Sequence, residues 1–157
     1  MTALKRPALD PATLPEKGGT GYPAPYRDLV AGRARRPLGD ALGLRTFGVN
    51  LTRLKPGAAS AQRHWHERQD EFVYIVEGEA VLVTDGGEQV LKPGMCAGFP
   101  AGVADGHHLV NRSNKDVVYL EVGDRMPGDV YHYPDIDLEG RDGEPDSVFT
   151  HMDGTPW

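Results

Sequence analysis

A chain of 157 residues with 17 basic and 23 acidic side chains, a net charge of -6 and one cysteine fits a single domain around one core. The acidic balance excludes a dedicated nucleic-acid surface, which needs a basic excess, and the lone Cys96 excludes an internal disulfide. No apolar run approaches the ~20 residues of a membrane helix, and the opening MTALKRPALDPATLP lacks a signal-peptide core, so a cytoplasmic protein that engages neither nucleic acid nor membrane is expected.

The chain opens with a proline- and glycine-rich arm that includes LPEKGGTGYPAPY, where repeated prolines deny both helix and central strand. A short helical turn fits 26–34. Arg33, Arg35 and Arg36 form a basic cluster that reads as a solvated loop before Pro37. Residues 1–43 are therefore expected as an extended arm packing on the body or on a partner.

From 44 to 54 the pattern turns β-like, with Phe47, Val49 and Leu51 on one face and Thr46, Asn50 and Thr52 on the other. Further short strands are expected at 61–66, 71–76, 80–84, 88–91, 96–99, 107–110 and 117–122, and Asp85, Gly86 and Gly87 mark the clearest hairpin. Many short strands without a sustained helical period predict an all-β antiparallel sandwich or small barrel over 44–123. Phe72, Val73, Tyr74, Ile75 and Val76 are apolar on both faces of their strand, so the arm or a second subunit must cover the outside. A homodimer is expected.

Beyond 123 the composition shifts. Asp124, Asp129, Asp135, Asp137, Glu139, Asp142, Glu144, Asp146 and Asp153 face only Arg125 and Arg141, while Val148, Phe149, Met152 and Trp157 offer apolar anchors. An acidic C-terminal strap over the barrel is expected for 124–157. His132 and His151 read as loop histidines.

His64 and His66 stand two apart, and residues i and i+2 of a strand share a face about 7 Å apart. With Glu71 they form a nitrogen and oxygen donor set suited to Fe, Mn, Ni, Co or Zn. His107 offers a third imidazole, which completes a set of His64, His66, Glu71 and His107 from three strands. The neighbouring His108 is the alternative ligand, although alternation sends it to the opposite face.

These stretches resemble the cupin family. Gly57, His64, His66, Glu71 and Gly78 match its first motif, and Gly94, Pro100, Gly102, His107 and Asn111 its second. The chain departs from the family pattern between Gly102 and His107, where four residues stand in place of two. The resemblance implies a cupin-type antiparallel β-barrel, a jelly-roll-like double-stranded β-helix, with one divalent transition metal held by His64, His66, Glu71 and His107. By parity with His64, Gln62 faces the same cavity as a candidate substrate contact, or else is an exposed strand residue. Arg53 is a candidate to hold a carboxylate or phosphate at the mouth, or else a snorkelling surface arginine. Trp65, Tyr74 and Phe99 read as packing residues, and the inward face of the strand carrying Tyr119 and Glu121 is open. The implied functions are a metal-dependent enzyme on a small polar or carboxylated molecule (oxygenase, isomerase, lyase or hydrolase) and a small-ligand-binding or sensory module.

Overall fold

Alternating burial along short strands builds the body. The computed structural model of the protein describes residues 4–143 and 147–157; Glu144 and Asp146 of the acidic tail lie outside the described residues. The elements are β1 (Arg33–Pro37), α1 (Leu38–Leu42), β2 (Phe47–Leu54), β3 (Trp65–His66), β4 (Glu71–Glu77), β5 (Ala80–Thr84), β6 (Gly87–Leu91), β7 (Cys96–Phe99), β8 (His108–Val110), β9 (Val117–Asp124), β10 (Val130–His132), β11 (Glu139–Arg141) and β12 (Val148–Thr150). They form three antiparallel sheets with strand orders β1-β2-β9-β4-β7, β12-β11-β10-β3 and β6-β5-β8. This is the antiparallel jelly-roll arrangement that the sequence leads one to expect.

The five-stranded and three-stranded sheets meet through Leu54, Val73, Ile75, Leu82, Leu109, Val117 and Tyr119, all buried. A second core gathers Tyr22 and Val30 from the N-terminal segment with Tyr131, Tyr133 and Leu138 from the C-terminal one. Two glycines are fixed by space. Gly78 adopts φ +76°, where a Cβ would lie 2.5 Å from the Asp116 carbonyl. The Tyr131 ring covers Gly140, its cross-strand partner, so closely that a Cβ there would fall 2.0 Å from the ring.

Four local expectations are revised. The basic cluster is no solvated loop: it is β1, paired with β2 from Arg33↔Leu54 to Pro37↔Asn50, and Arg33 is buried. The strand expected at 61–66 shrinks to Trp65–His66, while His64 joins His107 by an isolated bridge with N–H···O bonds of 3.2 and 2.9 Å. In β2 it is the polar set that faces inward: Thr52 is fully buried and Asn50 bonds Glu121, whereas Phe47 is exposed. A polar cavity inside the body inverts the usual rule. In the tail, Phe149 packs against the second core, Met152 is exposed, and Trp157 stacks on His151 at 4.0 Å.

Gly140→Ala should overpack the Tyr131 contact and cost about 1–3 kcal/mol. A thermal melt checks this, and an unchanged midpoint would mean that the ring moves away freely.

Candidate metal centre

Glu71 opens β4, His64 and His66 precede and occupy β3, and His107 sits in the bridge just before β8. These elements deliver four side chains to one point. Glu71 Oε2 lies 3.6 Å from His64 Nε2, 3.5 Å from His66 Nε2 and 2.9 Å from His107 Nε2. One ligand atom from each of His64, His66 and Glu71 falls within 4.8 Å of the others, a spacing that could hold a metal ion.

The opposite ring nitrogens decide what these atoms offer. His64 Nδ1 faces the Gln62 carbonyl at 2.8 Å, His66 Nδ1 faces the Asp129 carboxylate, and His107 Nδ1 faces the Asp105 carbonyl at 3.3 Å. Each partner is an acceptor, so each Nδ1 has a site for its hydrogen and each ring turns Nε2 toward Glu71, where His107 Nε2, at 2.9 Å from Oε2, is itself within hydrogen-bond distance of the carboxylate. Burial pulls His64 down to about 4, only partly offset by the Glu71 charge, so this ring is neutral at pH 7. Burial pushes Glu71 up, but the His107 hydrogen bond and the fields of His64 and His66 outweigh it and hold the carboxyl at about 2. An ionised carboxylate thus meets the Nε2 atoms of three imidazoles in a half-enclosed space. A cation bound there would draw on all four donors at once.

The support behind the rings is equally specific. Asp129 is buried; its carboxylate meets His66 and accepts from Arg68 N at 2.8 Å, and its own N–H donates to Asp142 at 3.0 Å. Phe99 stacks on His107 at 3.6 Å between centroids. The long loop before His107 is anchored rather than loose: Asp105 accepts from Asp85 N at 2.7 Å, and Arg63 grips the Gly106 carbonyl at 3.0 Å and Asp135 with two bonds of 2.7 Å. Asn111 is buried and ties the Leu54 and Lys115 carbonyls at 2.9 and 2.8 Å, so it locks the barrel rather than lining the site.

The cluster opens into a cavity of about 410 Å³, a volume in the range of small-ligand sites. Glu121 and Tyr119 of β9, Asn50 of β2, Arg33 and Arg35 of β1 and Tyr133 line it. Glu121 accepts from Asn50 Nδ2 at 3.0 Å and from Tyr119 Oη at 3.2 Å. Burial raises the hydroxyl pKa of Tyr119 and of Tyr133. Of the two candidate substrate contacts, the Gln62 side chain is turned to the Tyr26 carbonyl at 3.0 Å, while its own carbonyl orients His64. Arg53 is spent on Asp116 at 3.1 Å and on Glu16, on the outer face of β2. His108 anchors its Nδ1 on the Ala61 carbonyl at 2.9 Å. Asp129 escaped the sequence reading, which takes Arg33 and Arg35 as solvated charge and leaves the inward face of Tyr119 and Glu121 open; only the pairing of β1 and β9 with β2 decides their faces.

Residues 50–123 match the family model described as Cupin domain. The chain is similar throughout to the crystal structure of a sugar phosphate isomerase of the cupin superfamily from Silicibacter pomeroyi, at 44% identity over 96% of each chain and TM-score 0.92. The chain belongs to the cupin superfamily. A candidate sugar phosphate isomerase from Acidithiobacillus ferrooxidans resembles this cupin at 30% identity over 80% of each chain, with TM-score 0.72. The polyketide cyclase RemF from Streptomyces resistomycificus shares the cupin fold at 20% identity and TM-score 0.62, over 78% of this chain and 80% of its own. No curated protein sequence matches this cupin. Because the family match stops at 123, Asp129 and Tyr133 reach the site from outside the matched segment.

Metal-free protein should lose stability in acid in two stages. His64 at about 4, against 6.5 when unfolded, favours the folded state only where the ring is neutral, so stability falls as pH drops from 6.5 toward 4. Glu71 at about 2, against 4.5, removes a second increment between 4.5 and 2. Urea midpoints across pH 7 to 3 check this, with His64→Asn flattening the upper stage and a flat profile in the native chain contradicting it.

Proposed function

We propose that this cupin is a metal-dependent enzyme acting on a small polar substrate, with isomerisation as the reaction class. The observation that carries the metal is the convergence of three imidazole Nε2 atoms, at 3.6, 3.5 and 2.9 Å, on one ionised carboxylate oxygen, a donor cluster that suits a bound cation. The donor set of three nitrogens and one oxygen suits Mn, Fe, Co, Ni or Zn. His64, His66, Glu71 and His107 would hold the ion, and it would supply Lewis-acid polarisation of a substrate oxygen. Asp129 and the carbonyls of Gln62 and Asp105 keep the rings in register. Asn50 and Tyr119 hold the Glu121 carboxylate at the cavity wall, where it can accept a substrate hydroxyl. Isomerisation is favoured by two relatives, each covered over at least 80% of its length and named for sugar phosphate isomerase activity.

Elemental analysis of protein purified without added metal should find about one of these ions per chain. Alanine at His64, His66, Glu71 or His107 should lower that stoichiometry, alanine at His108 should not, and Asp129→Asn should weaken metal affinity roughly 10–100-fold. Substoichiometric metal that does not rise on reconstitution would count against the reading.

We also propose a homodimer built on the outer face of the five-stranded sheet. Val49 and Leu51 of β2 stand beside Leu120 and Val122 of β9, and these beside Phe72 and Tyr74 of β4. Phe72 and Tyr74 are 40% and 39% exposed, in a contiguous apolar surface that a single copy leaves wet. Light scattering should give a dimer, and Phe72→Glu should shift it to monomer. A native monomer at high micromolar concentration would sink this reading.

A further inference from the structure

The β1 side of the cavity carries positive charge that the fold does not balance. Arg33 and Arg35 alternate inward along β1, opposite Leu54 and Thr52 of β2. Arg33 is buried, and its guanidinium donates to the Ser60 carbonyl and, at 3.4 Å, to the Gly19 carbonyl. Both partners are neutral, so its charge has no direct ion pair and is offset chiefly by the field of Glu121, which Arg35 also uses. Burial, and then the like charge of Arg35, lower its pKa.

Arg35 is placed differently. Its Nε stands 2.5 Å from Glu121 Oε1, but its side chain lines the cavity and remains 37% exposed. Among the described residues neither Nη of Arg35 has a hydrogen-bond acceptor, whereas Arg36 and Arg53 on the outer face share Glu16. Two guanidinium groups therefore share one carboxylate, Glu121, on this wall. Leaving such a charge within a semi-enclosed cavity is costly unless an anion enters.

The backbone under Arg35 is fixed from both sides. It pairs with Thr52 of β2 and, through N–H···O bonds of 2.8 and 2.9 Å, with Lys17 of the N-terminal segment. A side chain on a doubly paired strand is pre-positioned rather than recruited. Glu121, which it touches, stands opposite Val73, two residues along β4 from Glu71. A rise of ~3.4 Å per residue and ~4.8 Å between strands set the Cα atoms of Glu71 and Glu121 about 8 Å apart. That separation fits a small molecule whose anionic end meets Arg35 while its other end reaches the histidine cluster.

We propose that Arg35, reinforced by the charge of Arg33, is the specificity-determining residue that binds the oxyanion of the substrate, a phosphoryl or carboxylate group, through its free Nη atoms. This deepens the metal-dependent reading above and rests on it. The planar guanidinium matches an oxyanion with two parallel hydrogen bonds, a geometry that a lysine would not reproduce. Glu121 limits the attraction by neutralising part of the wall.

Calorimetry on the manganese-reconstituted full chain, with inorganic phosphate, acetate and glucose 6-phosphate as probes, tests this. Arg35→Met should weaken binding of the tightest probe at least ~10-fold, the scale of a lost charge-assisted hydrogen bond, with metal content unchanged. Glu121→Gln should tighten it, because the wall then gains net charge. Phosphate and glucose 6-phosphate outbinding acetate identifies a phosphoryl group, and acetate matching them identifies a carboxylate; both support the site. If Arg35→Met fails to fold, Glu121→Gln decides alone. The site is overturned if the native chain binds none of the probes, if Arg35→Met binds as the native chain does, or if Glu121→Gln is no tighter. A chain that takes up no metal but binds phosphate in an Arg35-dependent way would overturn the metal reading and leave the anion site standing.

Discussion

Three imidazole Nε2 atoms gathered on one carboxylate oxygen form the constraint on which the rest depends. Hydrogen bonds from Nδ1 to a carbonyl, a carboxylate and a second carbonyl hold that orientation, and the acceptors come from three separate parts of the chain. Release any one and its ring could turn or change tautomer, which would scatter the donor set and weaken its hold on a cation. The barrel is the means by which residues far apart in sequence keep this donor set together. Phe99 against His107 and the Arg63 clamp behind Gly106 serve the same end, since both restrict how the third imidazole can move.

The polar lining of the cavity has a cost on the outside. Asn50 and Thr52 face inward on β2, and the intervening Val49 and Leu51 must then face out. The same alternation drives Phe72 and Tyr74 outward on β4, because Glu71, Val73 and Ile75 are needed within. A sheet that builds a hydrophilic interior thus displaces its apolar side chains to the rear, where another surface can use them.

Much of this was legible from residue spacing. The histidine pair, the carboxylate five residues later and the strand boundaries from 71 to 99 follow from period-two alternation and turn residues, which act locally. The reading broke where local rules had no purchase. Arg33, Arg35 and Arg36 look like solvated charge until β2 is known to pair with them, and Arg53 reads as a mouth residue only when the apolar face of β2 is assigned inward. Asp129 is one acidic residue among nine in the tail; nothing in its neighbours reveals that it, and not Asp124 or Asp135, lies buried behind His66. The four residues between Gly102 and His107 read as slack in a motif, yet they carry the Asp105 and Gly106 carbonyls that orient His107 and engage Arg63.

The partner of β3 makes the site depend on the tail. Among the described residues, the strand carrying His66 hydrogen-bonds as a strand only to β10, and the buried carboxylate behind that ring lies 63 positions later in the chain. His64 keeps local supports of its own, the Gln62 carbonyl and the bridge to His107, so the dependence falls on His66. A fragment stopped at residue 123 would carry all four donor side chains and still lack the contact that holds the second imidazole, so the matched family segment is a smaller unit than the candidate site.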